Sequence, residues 1–556
     1  MLKSLLLIFL GVLVGTAYSL DKPCSVKETN VGFVCVCNAS YCDTIQPPSK
    51  LKDGQFHVYF TSRTTPGFNH HFGYFRDMQA HSPRGYRVKV NDLKKRQTIL
   101  GVGGAFTDSF GYSLRNLTRE TQDHLLKSYF SEDGIEYSFN RVVFGSSDFS
   151  LNPYSYVAEN DTSLLTFNLT ESDFLYKIGP IRRAKSFSKR ELKLMGSAWS
   201  APKWMKRVGK NANQYLMPEH RQTWANYLVK TFEAFRNNSI ELWGLTPTNE
   251  PVTLMGFKDV AIKNMVMLPE EQRQWIANNL GPALEKNGFV NKSIVLLDDM
   301  RHYALWWMDT VMRSKTAAQY VDGIGLHWYV DSFASPKILD KIKEKYPEKN
   351  IYYTESSINP IIDMLINIEE GNITSNFSSP GPTPPLLGSW KRAQMYATSL
   401  IENLNHWVNG YMDWNLALDE TGGPNLINLT CDAPIIMNTT SNEFYKQPMF
   451  YVLGHFSKFL KPGAVILDCD LETFDGRVHS KDETEETSTI YFEEKAFHLF
   501  LYYKDVKHIV GLNPDGSHAV IVFNPKKTPQ SFWIQDAQKG NAYIFLEPES
   551  VTSILY

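Results

Sequence analysis

Two glutamates in the sequence have the surroundings expected of a catalytic pair. Glu250 lies in segment 246–251 (Thr-Pro-Thr-Asn-Glu-Pro), and Glu355 lies in segment 352–357 (Tyr-Tyr-Thr-Glu-Ser-Ser). Hydrolysis of a glycoside with retention of configuration needs two carboxyl groups about 5 to 5.5 Å apart, one as nucleophile and one as acid/base. The proline after Glu250 disfavours helix and predicts an extended backbone at that glutamate. A single glutamate at a strand end is more often a salt-bridged cap, so the interpretation depends on the two residues being brought together.

A regular series of short apolar, β-prone runs could position this pair. The runs cover residues 99–106, 139–144, 192–198, 240–245, 294–297, 323–326, 351–354 and 410–412. Helical patterns lie between several of them, at residues 224–235 and 337–346. Alternating strands and helices predict parallel βα units, and eight such units predict a (β/α)8 TIM barrel with its active site at the carboxyl ends of the strands.

Polar and aromatic side chains follow every one of these runs. They are Thr107-Asp108, Ser147-Asp148, Trp199, Asn249-Glu250, Asp298-Asp299, His327-Trp328-Tyr329, Glu355 and Asp413-Trp414-Asn415. A pocket lined by carboxylates, amides and ring faces is typical of carbohydrate binding. Each residue alone is more often a strand cap or a core residue, but together they predict a sugar-binding site.

The amino terminus predicts entry into the secretory pathway. Residues 1–19 combine Lys3, an apolar run at 5–14 and small residues near Ser19, which is the pattern of a cleaved signal peptide. A membrane anchor is the alternative, but the apolar run is far shorter than the roughly twenty residues that cross a bilayer. Asn-X-Ser/Thr sequons support the same route as candidate glycosylation sites: Asn38, Asn116, Asn160, Asn168, Asn237, Asn291, Asn372, Asn376, Asn428 and Asn438.

Four of the six cysteines, Cys24, Cys35, Cys37 and Cys42, cluster near the predicted mature terminus. Their spacing predicts a small disulfide knot, for which three connectivities are open, and a zinc site is the alternative. No other metal-ligand cluster is evident, so we expect activity without a metal or cofactor.

The charge balance argues against nucleic acid as a partner. Lys and Arg number 57 against 59 Asp and Glu, giving a net charge of −2, whereas nucleic-acid binders usually carry a basic field. Aromatic residues make up 13% of the chain, which suits stacking on sugar rings but also suits a large core.

Longer motifs carry a resemblance to a known family. They are segments 35–43, 103–108 (Gly-Gly-Ala-Phe-Thr-Asp), 147–150 (Ser-Asp-Phe-Ser), 249–251 (Asn-Glu-Pro), 327–329 (His-Trp-Tyr), 413–418 (Asp-Trp-Asn-Leu-Ala-Leu), 444–451 and 454–459. The chain resembles the glucosylceramidases of glycoside hydrolase family 30 over nearly its whole mature length.

The resemblance implies roles for individual residues. It implies that Glu250 is the acid/base and Glu355 the nucleophile. It further implies that the glucose ring is held by Asp148, Trp199, Asn249 and Trp414, that His327 and Tyr329 lie beside the nucleophile, and that the disulfides join Cys24 to Cys35 and Cys37 to Cys42.

The resemblance also implies the domain organisation. A small antiparallel β domain with the disulfides is expected at 20–48 plus 416–447, an immunoglobulin-like β-sandwich at 49–97 plus 464–556, and the catalytic barrel at 98–415 plus 448–463. Strand-like runs at 488–492, 498–503, 519–523 and 542–546 agree with a C-terminal sandwich.

The activity that the resemblance implies is retaining hydrolysis of glucosylceramide to glucose and ceramide, in sphingolipid catabolism within the lysosomal lumen, with secretion as an alternative destination. The expected partners are the glycosphingolipid, an anionic membrane surface and a saposin-type activator protein. Two alternatives remain open: a retaining glycosidase acting on a soluble β-glucoside, glucosyl sterol, xylan or β-1,6-glucan, and a silent glycolipid-binding homologue.

Two positions depart from the family pattern. Ser357 replaces a cysteine that mammalian members carry two residues after the nucleophile, and Leu429 replaces a sugar-binding asparagine. Sugar contacts from the loop after the eighth strand are therefore in question.

Overall fold

The structure is a computed structural model of the chain. It describes residues 21–76, 85–209, 213–252, 265–369, 384–473, 478–479, 486–492, 495–500 and 505–556. The predicted signal peptide and the sequons Asn372 and Asn376 lie outside the described residues. Among the described helices, none has the length and hydropathy needed to cross a membrane.

The described strands and helices follow one another along the whole chain. In chain order the strands are β1 Val26–Glu28, β2 Phe33–Asn38, β3 Gln55–Ser62, β4 Asn69–Tyr74, β5 Tyr86–Val90, β6 Lys95–Thr98, β7 Gly101–Phe106, β8 Phe139–Phe144, β9 Lys193–Ala198, β10 Lys206–Val208, β11 Gln214–Leu216, β12 Gly244–Thr246, β13 Met265–Val266, β14 Ser293–Met300, β15 Val321–His327, β16 Asn350–Glu355, β17 Val408–Asn415, β18 Leu418–Asp419, β19 Ile435–Asn438, β20 Glu443–Lys446, β21 Val465–Leu467, β22 Leu471–Thr473, β23 Val478–His479, β24 Glu486–Phe492, β25 Lys495–Phe500, β26 Lys507–Leu512, β27 His518–Asn524, β28 Gln530–Asp536, β29 Gly540–Leu546 and β30 Ser550–Leu555. The α-helices are α1 Asp108–Arg115, α2 Arg119–Phe130, α3 Gly179–Phe187, α4 Arg221–Asn237, α5 Pro269–Trp275, α6 Gly281–Lys286, α7 Ala304–Val311, α8 Lys315–Ala318, α9 Lys337–Lys345, α10 Pro360–Glu369, α11 Trp390–Asn405 and α12 Pro448–Phe459.

Eight parallel strands close into a barrel in the order β12-β14-β15-β16-β17-β7-β8-β9. Every predicted apolar run contributes one of these strands, which confirms the TIM-barrel prediction. The run at 240–245 becomes a strand only from Gly244, because Ile240 still donates its N–H to the carbonyl of Phe235 at the end of α4. The two helices predicted from periodicity are α4 and α9.

The barrel interior is packed with side chains at its amino end. Phe139, Met195, Val295, Tyr352 and Met412 form a buried cluster there, contributed by β8, β9, β14, β16 and β17. Interdigitating layers of bulky side chains are what fills a barrel of this size. The polar residues that follow the strands therefore collect at the opposite, carboxyl end.

A two-sheet β-sandwich is built from the chain segments before and after the barrel. One sheet has the order β4-β3-β30-β27-β26-β21-β6 and the other β23-β22-β5-β28-β29. Apolar side chains of the two sheets, including Val58, Val88, Val520 and Ile534, form a separate buried cluster between them. The predicted run at 488–492 lies in β24, and residues 498–500 of the next run lie in β25, while residues 501–503 lie outside the described residues. β24 and β25 pair with each other in a two-stranded sheet rather than within either sheet of the sandwich.

The small β domain has the strand order β1-β2-β20-β19-β18. Its pairings are antiparallel except for the edge pair β18 and β19, which run parallel. Disulfides join Cys24 to Cys35 and Cys37 to Cys42, which is the pairing that the resemblance implies and which excludes the zinc alternative. These strands fall within the segments expected for each domain, and we keep the exact domain boundaries as a proposal.

Candidate active site

Glu250 and Glu355 meet at the carboxyl end of the barrel. Glu355 is the last residue of β16, and Glu250 follows β12 by four residues. One oxygen of each carboxylate and a ring nitrogen of His327 all lie within 4.8 Å of one another. The side chains of Glu250 and Glu355 are 13% and 8% exposed, so both are largely withdrawn from water. This separation suits a retaining pair, because inverting enzymes hold their carboxyl groups about 6.5 to 9.5 Å apart.

The backbone at Glu250 differs from the prediction. Its φ is +43°, in the left-handed region rather than the extended conformation predicted from the following proline. Residues other than glycine rarely adopt this region, and they cost free energy when they do. The N–H of Glu250 donates to the carbonyl of Asp298 at 2.8 Å, and the N–H of Val252 donates to the Asp299 carboxylate at 3.0 Å. These contacts to β14 hold the strained segment in place.

Arg141 is a central residue of the site that the sequence analysis missed. It lies in the middle of β8 and is completely buried. Its guanidinium donates to Glu355, to Asn249 Oδ1 at 2.8 Å and to Asp298 Oδ2 at 2.7 Å. Burial disfavours the charged form, but the negative charges of Asp298 and Glu355 outweigh it and raise the pKa of Arg141. A lone arginine in the run Phe-Asn-Arg-Val-Val-Phe was the available signal, because a buried charge needs a partner.

Asp298 accepts hydrogen bonds from several side chains around the two glutamates. The hydroxyls of Ser197, Thr246 and Thr354 donate to it at 2.9, 2.6 and 2.6 Å. Burial alone would raise its pKa, but the charges and hydrogen bonds of Arg141 and His327 hold that pKa far below the usual range. Asp298 was among the strand-end residues of the sequence analysis but not among the predicted site residues.

A bulge in β14 explains how Asp298 and Asp299 can both serve the site. Leu297 and Asp298 have φ of +65° and +63°, and the pairing of β14 with β15 shifts register between Leu297 and Asp299. A bulge lets neighbouring residues depart from the strict alternation of a strand. Asp298 therefore reaches Arg141, while Asp299 binds the backbone of the Glu250 segment.

His327 bridges the acid/base candidate and Asp298. Its Nδ1 lies 3.0 Å from Glu250 Oε1, and its Nε2 lies 3.1 Å from Asp298 Oδ1. Burial disfavours the imidazolium, but the charge of Glu355 and the hydrogen bonds to Asp298 and Glu250 raise the pKa of His327 to about 10. A raised pKa favours the cationic ring, which can donate to the Glu250 carboxyl group and to the Asp298 carboxylate.

The electrostatic environment distinguishes the two glutamates. Burial raises the pKa of Glu250 to about 7; the hydrogen bond and charge of His327 oppose this rise, and the charges of Glu355 and Asp299 add to it. Glu355 accepts hydrogen bonds from Arg141 and, at 2.8 Å, from the Tyr329 hydroxyl. Donors of this kind stabilise a carboxylate. Glu250 is thus arranged to hold a proton, whereas the Glu355 carboxyl group accepts from two donors.

The predicted sugar-binding residues form one wall beside this pair. Trp199 and Trp414 stack with ring centroids 5.0 Å apart, and the Arg141 guanidinium lies 4.8 Å from the Trp199 ring centroid. Burial and the charges of Glu355 and Glu250 raise the pKa of Asp148 to about 7. Asp148 Oδ1 is buried without a hydrogen-bond partner among the described residues, as expected of a group that binds a ligand hydroxyl.

Lys177 supports the loop that carries Asp148. Its buried ammonium donates to the carbonyls of Val143 and Gly145 at 3.1 and 2.9 Å, at the end of β8. It also pairs with Asp108 and Asp173 at 3.4 and 2.9 Å. The backbone just before Asp148 is therefore fixed by an ion-pair cluster outside the barrel strands.

The two departures from the family pattern lie on this wall. Leu429 is partly buried and packs against the cluster that contains Trp199 and Trp414. The Ser357 hydroxyl donates to the carbonyl of Asp432 at 3.3 Å, and the neighbouring Cys431 is a free, buried cysteine whose pKa is raised by burial. At position 429 the loop after β17 thus presents an apolar side chain where the family pattern predicts an amide, and the buried Cys431 lies in the same cluster.

The sequons differ in exposure. Among the described ones, the exposed asparagines are Asn116, Asn160, Asn168, Asn237, Asn291 and Asn428, and the partly buried ones are Asn38 and Asn438. Asn428 lies on the loop after β17, near the active-site end of the barrel. Occupancy of these sites stays a prediction.

Two segments of the chain match known protein families. Residues 99–460 match the family described as Glycosyl hydrolase family 30 TIM-barrel domain, and residues 494–554 match Glycosyl hydrolase family 30 beta sandwich domain.

Relatives of similar length resemble the chain throughout. "Putative glucosylceramidase 4" of Caenorhabditis elegans is 36% identical over 99% of this chain and 98% of its own length. "Lysosomal acid glucosylceramidase" of Mus musculus is 34% identical over 98% and 96%. The solved structure of SrfJ from Salmonella typhimurium covers 90% of this chain and 99% of its own, with a TM-score of 0.73 at 21% identity, which supports the fold.

Proposed function

Because the chain belongs to glycosyl hydrolase family 30, we propose that it hydrolyses the β-glucosyl bond of glucosylceramide, releasing glucose and ceramide with retention of configuration. The observation that carries the mechanism is the approach of the Glu250 and Glu355 carboxylates to within 4.8 Å. The choice of substrate rests on similarity to glucosylceramidases along the whole chain.

In the first step, a Glu355 oxygen attacks the anomeric carbon and the bond to the ceramide oxygen breaks. Protonated Glu250 gives its proton to that oxygen, which leaves ceramide with a hydroxyl group and Glu250 as an anion. Arg141 and Tyr329 donate to the attacking carboxylate and orient it. The product of the step is a glucosyl ester of Glu355.

In the second step, ionised Glu250 takes a proton from a water molecule, whose oxygen attacks the anomeric carbon and displaces Glu355. The pKa of Glu250 near 7 suits both the acid and the base role. Asn249, held by Arg141, is placed for the sugar 2-hydroxyl, whose hydrogen bond strengthens in the transition state. Trp199 and Trp414 supply a ring face for the sugar.

The cellular setting of this reaction follows from the nature of the substrate. A glucosylceramide glucose projects from a bilayer, so the enzyme works as a peripheral protein at an anionic membrane surface, with a saposin-type activator as a partner. The signal-peptide pattern and the lysosomal relative support delivery to the lysosomal lumen. No metal or cofactor takes part in the steps above.

The test is glucose release from glucosylceramide in anionic-lipid vesicles, with wild type and Glu355→Gln side by side. We expect turnover at acidic pH that the substitution abolishes. A panel of soluble β-glucosides, glucosyl sterol, xylan and β-1,6-glucan separates the alternatives. Turnover of one of these without turnover of glucosylceramide would overturn the substrate but keep the site.

Azide assigns the two carboxylates independently of the lipid substrate. With an activated aryl β-glucoside, Glu355→Ala plus azide should form α-glucosyl azide, because azide then attacks the anomeric carbon directly. Glu250→Ala plus azide should form the β-anomer through the glucosyl ester. Exchanged anomers would reverse the assignment, and binding of glycolipid without any turnover by wild type would favour a silent homologue.

A further inference from the structure

A second cavity lies at the end of the barrel opposite the active site. Its volume is about 300 Å³, and it is lined by residues immediately before β9, β12 and β14. These are the amino ends of the strands, whereas Glu250 and Glu355 lie at the carboxyl ends. The volume reaches the lower limit of pockets that hold small organic ligands. The mechanism makes no use of this cavity.

Asn291 is both a lining residue of this cavity and the acceptor of the sequon Asn291-Lys292-Ser293. Its side chain is exposed, and β14 begins two residues later at Ser293. A glycan on the Asn291 amide nitrogen would therefore begin in the wall of the cavity. Asn168, another exposed asparagine in a sequon, is not among the lining residues.

The wall carries the groups that an N-acetylglucosamine residue needs. Trp243, partly exposed, is fixed by edge-to-face contacts with Phe139 and Tyr352 at 5.1 and 5.5 Å between centroids. A fixed indole suits stacking on an apolar sugar face. The pair Lys292 and Glu241, at 2.5 Å, offers donors for the acetamide carbonyl and an acceptor for its N–H.

A free anion suits this cavity less well, because its cationic side chains already have partners. Lys193 pairs with Glu191 at 2.5 Å, Arg190 pairs with Glu136 at 3.1 Å, and Lys185 donates to a backbone carbonyl. With the Lys292–Glu241 pair, three of the four cationic side chains that line the cavity are paired with a carboxylate, and the fourth, Lys185, is held by a carbonyl. Neutral sugar hydroxyls and amides match such a wall of paired charges.

We propose that Asn291 is N-glycosylated and that the first sugars of its glycan lie in this cavity against Trp243. The proposal requires passage through the secretory pathway but is independent of the substrate proposed above. It gives the glycan a structural role at the amino ends of the barrel strands.

The test uses the full chain secreted from eukaryotic cells. Glycopeptide mass spectrometry should find Asn291 occupied. An endoglycosidase should release the Asn291 glycan from the native protein at least about tenfold more slowly than the Asn168 glycan. This ratio corresponds to a free energy of about 1.4 kcal/mol for binding of the glycan in the cavity. Denaturation should make the two rates equal.

Matched variants separate binding of the glycan in the cavity from the accessibility of the asparagine itself. Glu241→Ala with Lys292→Ala keeps the sequon and opens the wall, so it should speed native release from Asn291 without changing occupancy or release from Asn168. An unoccupied Asn291, or release from native protein as fast as from Asn168, would overturn the proposal. Binding of inorganic phosphate or sulfate by a cavity with unmodified Asn291 would overturn it in favour of an anion site.

Discussion

Asp413 provides a direct test of how the folded protein responds to pH. It lies near the carboxyl end of β17, is 2% exposed, and accepts a hydrogen bond from Tyr396 at 2.5 Å. Burial raises its pKa from 3.8 to about 8, although the hydrogen bonds from Tyr396 and Trp414 oppose the rise. The folded protein therefore binds a proton at Asp413 that the unfolded chain has released at neutral pH.

The sign of the effect follows from the raised pKa. Stability from this proton is complete below pH 3.8 and is lost as the pH rises towards 8. Each pH unit in this window costs about 1.4 kcal/mol. Between pH 5 and pH 7, wild type should lose about 3 kcal/mol of unfolding free energy that Asp413→Asn does not lose.

Denaturant unfolding of wild type and Asp413→Asn at pH 5 and pH 7 measures this difference. Asparagine keeps the size and the acceptor oxygen for Tyr396, and comparing the two proteins cancels the titration of groups that do not interact with Asp413. Glu270→Gln, at an exposed position in the first turn of α5, is the control and should follow wild type. Equal pH dependence of wild type and Asp413→Asn would refute the reasoning.

Three further predictions concern the groups around the site. Because Glu250 must be protonated and has a pKa of about 7, kcat/KM for glucosylceramide should fall about tenfold per pH unit above 7. Asp299→Asn removes a charge that raises this pKa, so the fall in kcat/KM should begin at a lower pH than in wild type. An unchanged pH profile would refute the role of Asp299. Arg141→Lys loses at least one charged hydrogen bond worth about 1.5 to 3 kcal/mol, so kcat/KM should fall at least about tenfold while circular dichroism is unchanged; near-wild-type kcat/KM would contradict the role of Arg141. Lys177→Met leaves Asp108 and Asp173 buried without their cation and should cost about 3 to 5 kcal/mol in unfolding free energy. A loss below about 1 kcal/mol, the level of a surface ion pair, would show that the cluster does not stabilise the fold.

The sequence by itself predicted the barrel and the two glutamates that meet at its carboxyl end. Each strand is a short apolar run followed by a polar residue, and this pattern depends only on which residues are buried and which end a strand. The residues from Glu250 to Trp414 that follow those runs therefore meet at one end of the barrel. The disulfide pairing was open on spacing alone and needed the family resemblance.

Only the tertiary structure decided how the polar groups divide their roles. Arg141 sits inside an apolar strand, and its partners Asn249, Asp298 and Glu355 come from three other strand ends. The left-handed backbone at Glu250 and the bulge at Asp298 are held by contacts distant in sequence, which override the local preference for an extended chain. The raised pKa of Glu250 likewise arises from burial and from charges on neighbouring strands, which no local pattern encodes.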